Sequence, residues 1–574
     1  MATTPLEQAR NRKLIYAGLI ILLFTALVIY RQVGVVETAA ERYGISETNI
    51  GKTDLGGSAA RFLLASFRGP LICSLWWEAI ELQMRHDWDQ MEIIIKSLTK
   101  LQPHFRSTWE YQGWNLAYNV SVEFDRTQDK YFYIAEGIRW TSRGEAINRA
   151  QLYDPDSPTG KRIVGDPTLR WSIGFFIQDK MSVSDEVKTY RCYLPLSCTP
   201  PRDWDPYEFR RDPERLRAFK KDYPHIVERI RDLKHLPEEA EAALDNELQA
   251  FLGGLFRPDF PSLYPEQLRG QRTGLLSAGV GELDRFPVWP KPDLTEVVPP
   301  RLRLALDNFA PEKPETQDSH EIARLWYEYS VAPLPPPDLE LDSLTPERRR
   351  LYRMPQRMVS LIFRGNPARA KSKMGERLSQ EGWIEESRQA WAEAFEMWRD
   401  FGRENQLEID PEEIDELQMR AARFGGQYPS VASGLDQLPP SAAKDEEVLR
   451  DMAAYRRLQN ATARQDVGNY RHWRVTAETY MKPEGIEVWR HLYNAKHRYK
   501  SDLLLAQAEY KKALDGWRDL MTINKGRAES LLGLAPYTLN TAALYQSRPF
   551  FALTPFGQNR QTHEEIAPYY EEYI

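Results

Sequence analysis

The sequence predicts a mainly α protein: a single N-terminal transmembrane helix followed by helical hairpins with proline-rich connectors. Three observations predict it. An uncharged apolar run, LIYAGLIILLFTALVIY, stands near the start; helix-initiating Asp/Thr-Pro-Glu triplets recur along the chain; and alternating strand patterns are scarce. The chain has 574 residues, 42% hydrophobic and 28% charged, the balance of folded protein and too apolar for general disorder. Its 76 Lys plus Arg against 83 Asp plus Glu leave a formal charge of -7, which argues against a general nucleic-acid binder.

The run from Leu14 to Tyr30 carries no charge and no proline, and Arg12, Lys13 and Arg31 flank it. At about 1.5 Å per residue it approaches the thickness of a bilayer's hydrocarbon core, and snorkelling Lys and Arg extend its reach. We assign 1–13 to a cytoplasmic tail and 14–36 to the anchor, with membrane lipid as its partner. Arg10, Arg12 and Lys13 against Glu7 alone put the N-terminus in the cytoplasm by the positive-inside rule, hence a single-pass protein with an extracytoplasmic body. A cleaved signal peptide and a buried core helix compete for the same run.

Helix starts then punctuate the body. In Asp212-Pro213-Glu214, Thr345-Pro346-Glu347 and Asp410-Pro411-Glu412 the first residue caps an orphan amide, proline at N1 loses no helical bond and the acid complements the helix dipole. Twelve prolines between Phe286 and Pro346 read as a semi-rigid connector, 286–345, with one short helix near Glu321–Ser330. That divides the body into an N-terminal helical unit (55–150), a middle helical and irregular unit (151–285), a C-terminal repeat-like array (346–535) and a tail (536–574).

Small and large residues alternate from Lys371 to Arg399: Gly375 and Leu378, Gly382 at the bend, then Ser387, Trp391 and Ala394. This stretch resembles a tetratricopeptide repeat, with Arg399 where the repeat carries proline. Ala79, Leu82, Ile95, Leu98 and Pro103 match partly, with Met91 at a normally small position; so do Ala506, Tyr510 and Ala513, with Tyr499 about two residues too close. Unrelated antiparallel helix pairs account for the same spacing. The segments WEYQGWNLAYNVSVEFD (Trp109–Asp125), NYRHWRVTAETYMKPEGIEVW (Asn469–Trp489) and AQAEYKKALDGW (Ala506–Trp517) resemble membrane-anchored helical proteins of planctomycete-type bacteria that carry degenerate repeats of this kind. The resemblance implies an anchor in a bacterial inner (cytoplasmic) membrane and a helical extracytoplasmic body, and no particular activity.

Sites are harder to find. The chain lacks a phosphate loop, H-E-x-x-H, a G-x-S-x-G elbow and paired C-x-x-C motifs, so no catalytic, cofactor or metal residues are singled out and no cofactor is expected. Cys192 and Cys198 bracket Pro195 and are a disulfide candidate, which leaves Cys73 unpaired and buried. Sixteen tryptophans call for explanation. Trp76, Trp77, Trp109, Trp114 and Tyr118 form either inter-helix core or a ligand-facing patch. The function expected is a membrane-tethered protein-interaction scaffold without evident catalysis, contacting a protein partner around Trp383, Trp391, Phe395 and Trp398. The alternative is a cell-envelope glycan-binding protein or glycan hydrolase with a tryptophan-rich groove.

Overall fold

The computed structural model describes residues 68–531 with internal breaks, the longest at 264–289 and 309–316, together with scattered positions between 13 and 26. The predicted anchor and the tail at 536–574 therefore lie largely or wholly outside the described residues. Among those described, no helix is long and apolar enough to cross a membrane.

The body is mainly helical, in agreement with the reading of the sequence. Helices α1 (Arg68–Met84) and α2 (Trp88–Leu101) form an antiparallel hairpin, followed by α3 (Arg106–Trp114), a π-helical turn at Asn115–Val120 and the long α4 (Thr127–Ile147). A two-stranded antiparallel ribbon follows, β1 (Ala150–Tyr153) on β2 (Lys161–Val164), in register Ala150 with Val164. Helices α5 (Pro167–Ser182), α6 (Val187–Cys198), α7 (Pro206–Arg211), α8 (Pro213–Asp222), α9 (Pro224–Leu233) and α10 (Glu241–Leu255) build the middle. Beyond α11 (Pro300–Asn308) and α12 (Ser319–Val331), the C-terminal part comprises α13 (Pro346–Arg349), α14 (Ser360–Gln380), α15 (Ile384–Glu404), α16 (Pro411–Gln427), α17 (Pro429–Ala432), α18 (Glu446–Val467), α19 (Tyr470–Tyr480), α20 (Pro483–Arg498) and α21 (Leu503–Leu531).

Side-chain caps set many of the starts. Asp166, Asp205 and Asp212 each accept from an amide in the first turn ahead of a proline at N1, and Thr345 does the same for Arg348. Helix α16 starts at Pro411 as its triplet predicts.

The proline-rich stretch does more than connect. Within it, α12 buries Ile322, Leu325, Trp326 and Tyr329 in the largest core, packed between α5 and α14. That core also takes residues from α4, α6, α9 and α10; a second joins α1–α3 and a third joins α14, α15, α19 and α20.

Two expectations about cysteine are corrected. Cys192 and Cys198 are free and buried at the two halves of one helix, α6. Six helical residues advance about 9 Å, beyond the reach of a disulfide. Cys73 is exposed rather than buried.

The α14–α15 hairpin shows why small residues were needed. Gly382 turns the chain at φ +87°, and Ser379 and Ser387 hydrogen-bond across the bend at 2.6 Å. A Cβ on Gly375 would stand 2.9 Å from the buried Trp391 ring. Gly375→Ala should therefore destabilise the body by about 1–3 kcal/mol, because that ring has nowhere to go. Gly426→Ala, on α16 with open space around it, should cost nothing or gain about 0.5–1 kcal/mol. Thermal unfolding of the two variants checks the contrast.

Candidate functional site

The densest polar chemistry lies inside the protein. Asp318 caps α12, accepting from His320 N at 2.8 Å, and also pairs with Arg191 of α6 at 2.8 Å. Glu381, just past α14, accepts from Arg191 Nε at 2.9 Å and from Arg229 Nη2 of α9 at 2.8 Å. Pro195 completes the hub. It lies inside α6 without an N–H, so the Arg191 carbonyl four residues back has no helical partner, and Arg229 Nη1 donates to it at 3.1 Å.

Two further networks hold α12. Arg170 of α5 donates to Glu145 at 2.8 Å and to the Tyr329 carbonyl at 3.1 Å, and its guanidinium lies 3.4 Å from the Tyr329 ring centre. Glu321 bonds Arg324 on its own helix and Lys371 of α14, the latter at 3.1 Å.

Burial alone would push these carboxyls towards their neutral forms, but the cations beside them win. Arg149 and Arg170 hold Glu145 down to about 2; Arg324 and Lys371 hold Glu321, and Arg191 and Arg229 hold Glu381, well below the usual range. A carboxylate held ionised has no proton to give, and one so far below neutrality with its oxygens already bonded to cations is a poor base, so these clusters fit structural clamps better than acid–base pairs. Burial likewise pushes the Cys192 thiol up to about 12, far from the thiolate a nucleophile requires. Among the described residues no group of His, Cys, Asp and Glu could hold a metal ion.

Of the four predicted contact residues, two lie in the core and two, Trp383 and Phe395, are half-buried. Trp391 and Trp398 are buried between α14, α15, α19 and α20, with Trp398 Nε1 donating to Ser372 Oγ at 2.9 Å. Arg474 covers the half-buried Phe395 ring at 3.8 Å, and Trp383 packs on His225 with ring centres 4.0 Å apart. Trp391 and Trp398 have no surface to offer a partner: the helical stripe that marked them in the sequence is an inter-helix seam.

The N-terminal aromatics divide. Trp109 is buried against Trp140. Trp114, Tyr118, Phe175 and Trp171 stack successively, with interplanar angles of 12°, 13° and 12°, so their faces are largely used on one another. A shallow cleft opens elsewhere, where Trp489, Leu492, Tyr493 and Lys496 of α20 meet Tyr510 and the end of α14, with no carboxylate among its lining residues.

The outward face of α1 differs from all of these. Trp77, Ile80 and Met84 are 76%, 48% and 72% exposed, and Cys73 is exposed beside them. Sequence reasoning named Trp77 within an aromatic cluster, as core or as a ligand-facing patch, and did not connect it with Cys73, Ile80 and Met84. The signal was the spacing of four, three and four residues from Cys73 to Met84. The buried hub had no such signal, since Arg191 and Glu381 are 190 residues apart.

No family model, curated protein or solved structure matches this chain.

Glu381→Ala should cost about 3–5 kcal/mol in urea unfolding, because among the described residues it leaves the buried Arg229 guanidinium without a carboxylate and Arg191 with Asp318 as its one remaining ion pair. Acid should also destabilise the body. Burial holds His320 neutral down to about 3 and His472 down to about 4, while the unfolded chain binds protons near 6.5. Stability is thus fully present above pH 6.5 and falls from there towards pH 3; Glu145 adds loss from 4.5 to about 2. His320→Phe should flatten the melting temperature's dependence on pH between 6.5 and 4.5, and an unchanged slope would remove His320 from this account.

Proposed function

We propose that this protein is a membrane-tethered, extracytoplasmic interaction scaffold. The observation that carries the reading is the outward face of α1, where Cys73, Trp77, Ile80 and Met84 lie exposed along a helix whose opposite side already packs on α2. Water-exposed large apolar side chains grouped on one helix mark a surface for another protein.

Other features support it. The buried charges are consumed in holding helices together, which suits a rigid platform. The α14–α15 hairpin, with its Gly375–Trp391 contact, is in this reading a degenerate tetratricopeptide-like unit; α20–α21 is a further hairpin of the C-terminal array, and α1–α2 a separate one in the N-terminal unit. The anchor at 14–36 supplies the tether, and the basic residues before it set the inner-membrane, single-pass orientation. Glycan recognition, the competing idea, needs several open ring faces lining one groove; Trp77 is open, but Tyr118, Phe175 and Trp171 are stacked on one another and Trp109 is buried.

The test has two parts. Full-length protein should stay in the membrane fraction through high salt and alkaline carbonate and leave it only with detergent; release by salt alone would defeat the tether. A photo-crosslinking residue at Ile80 or Met84 should give discrete protein adducts in intact cells. The same probe at Lys100, exposed on α2, should give none, and equal labelling from both places would defeat the contact surface.

A further inference from the structure

We infer that the outward face of α1 is the contact between two copies of this chain, a helix-to-helix pairing through Cys73, Trp77, Ile80 and Met84. The inference deepens the scaffold reading by naming the partner at that surface, and rests on it only for the tether.

The geometry begins with spacing. Pro70, Cys73, Trp77, Ile80 and Met84 are all exposed and follow one another at three, four, three and four residues. That is the seam of a two-helix coiled coil, with Pro70, Trp77 and Met84 in one set of positions and Cys73 and Ile80 in the other. The opposite face, Ile72, Ala79 and Leu82, is buried with Met91, Ile95 and Leu98 of α2, so α1 is apolar on two sides and, among the described residues, the exposed one has no neighbour. A helix apolar nearly all round belongs in an interior; a second copy of α1 would provide it.

Charge argues for a copy over a lipid surface. From Gly69 to Met84 the helix carries no Lys or Arg, only Glu78 and Glu81, whereas a helix lying on an anionic bilayer presents a basic face. In a parallel, in-register pair no carboxylate meets its own copy. Glu81, the one charge beside the seam, falls opposite the Trp76 position of the partner helix, and its own Arg85 already bonds it. The tether would hold two chains in one membrane plane with the same end down, which favours the parallel arrangement and raises their effective concentration.

Cys73 makes the pairing directly readable. It lies in the seam, and the other two cysteines are buried. In detergent micelles the full-length protein should scatter light with the protein mass of two chains, and mild oxidation should convert it through Cys73 to a covalent dimer on a non-reducing gel. Cys73→Ser should abolish the product. A cysteine moved off the seam, Cys73→Ser with Glu78→Cys, should cross-link about tenfold more slowly, and Ile80→Glu should weaken the dimer by about tenfold or more with its circular dichroism unchanged.

A single-chain mass at tens of micromolar would overturn the inference, as would equal cross-linking from positions 73 and 78. So would an adduct at Ile80 made only to lipid, to another protein or to a different segment of the same chain. These outcomes separate from failure of the scaffold reading. An adduct to another protein leaves the scaffold standing without self-pairing, and a dimer that washes from membranes in salt leaves the pairing standing without a tether.

Discussion

Helix α12 is held in the middle of the protein by charge as much as by burial, and the arrangement of the other helices depends on that. It packs between α5 and α14, and ionic contacts engage both its ends. Asp318 reaches Arg191 at its start, Glu321 reaches Lys371 a turn later, and the Tyr329 carbonyl accepts from Arg170 near its close. Buried ions stabilise only when fully partnered, so each contact also forbids alternatives: a helix displaced by one turn would strand guanidinium groups in an apolar interior. The networks therefore specify one packing among the many that helices of similar hydrophobicity permit.

The same logic explains a proline that would otherwise weaken α6. Removing one helical hydrogen bond at Pro195 releases the Arg191 carbonyl, and Arg229 takes it while also gripping Glu381. A local defect becomes part of a long-range clamp between α6, α9 and the end of α14. Glycine plays the complementary role in α14–α15, where the absence of a side chain at Gly375 lets the Trp391 ring settle between the helices.

Inside and outside thus divide the labour. Charges that would draw attention in a sequence search are mutually neutralised in the interior, and most of the conspicuous tryptophans fill gaps between helices. Among the described residues, the exposed apolar row on α1 has a periodicity that suits another helix. A body whose interior is clamped by buried ion pairs can present such a row on a fixed surface.

Local chemistry was legible in the residues themselves. Asp212-Pro213, Thr345-Pro346 and Pro411 start helices because caps and proline act on the adjoining turn, and the small–large alternation around Gly375 and Trp391 foretold a tight hairpin. The sequence by itself determined that this protein is helical and where several helices begin. Tertiary structure alone decided which side of each aromatic stripe faces inward and that α12 is a core element within a proline-rich stretch. The reason is physical: a cap or a turn is settled by residues within four positions, whereas burial and ion pairing join residues up to 190 positions apart, and one chain read alone carries no record of those distances.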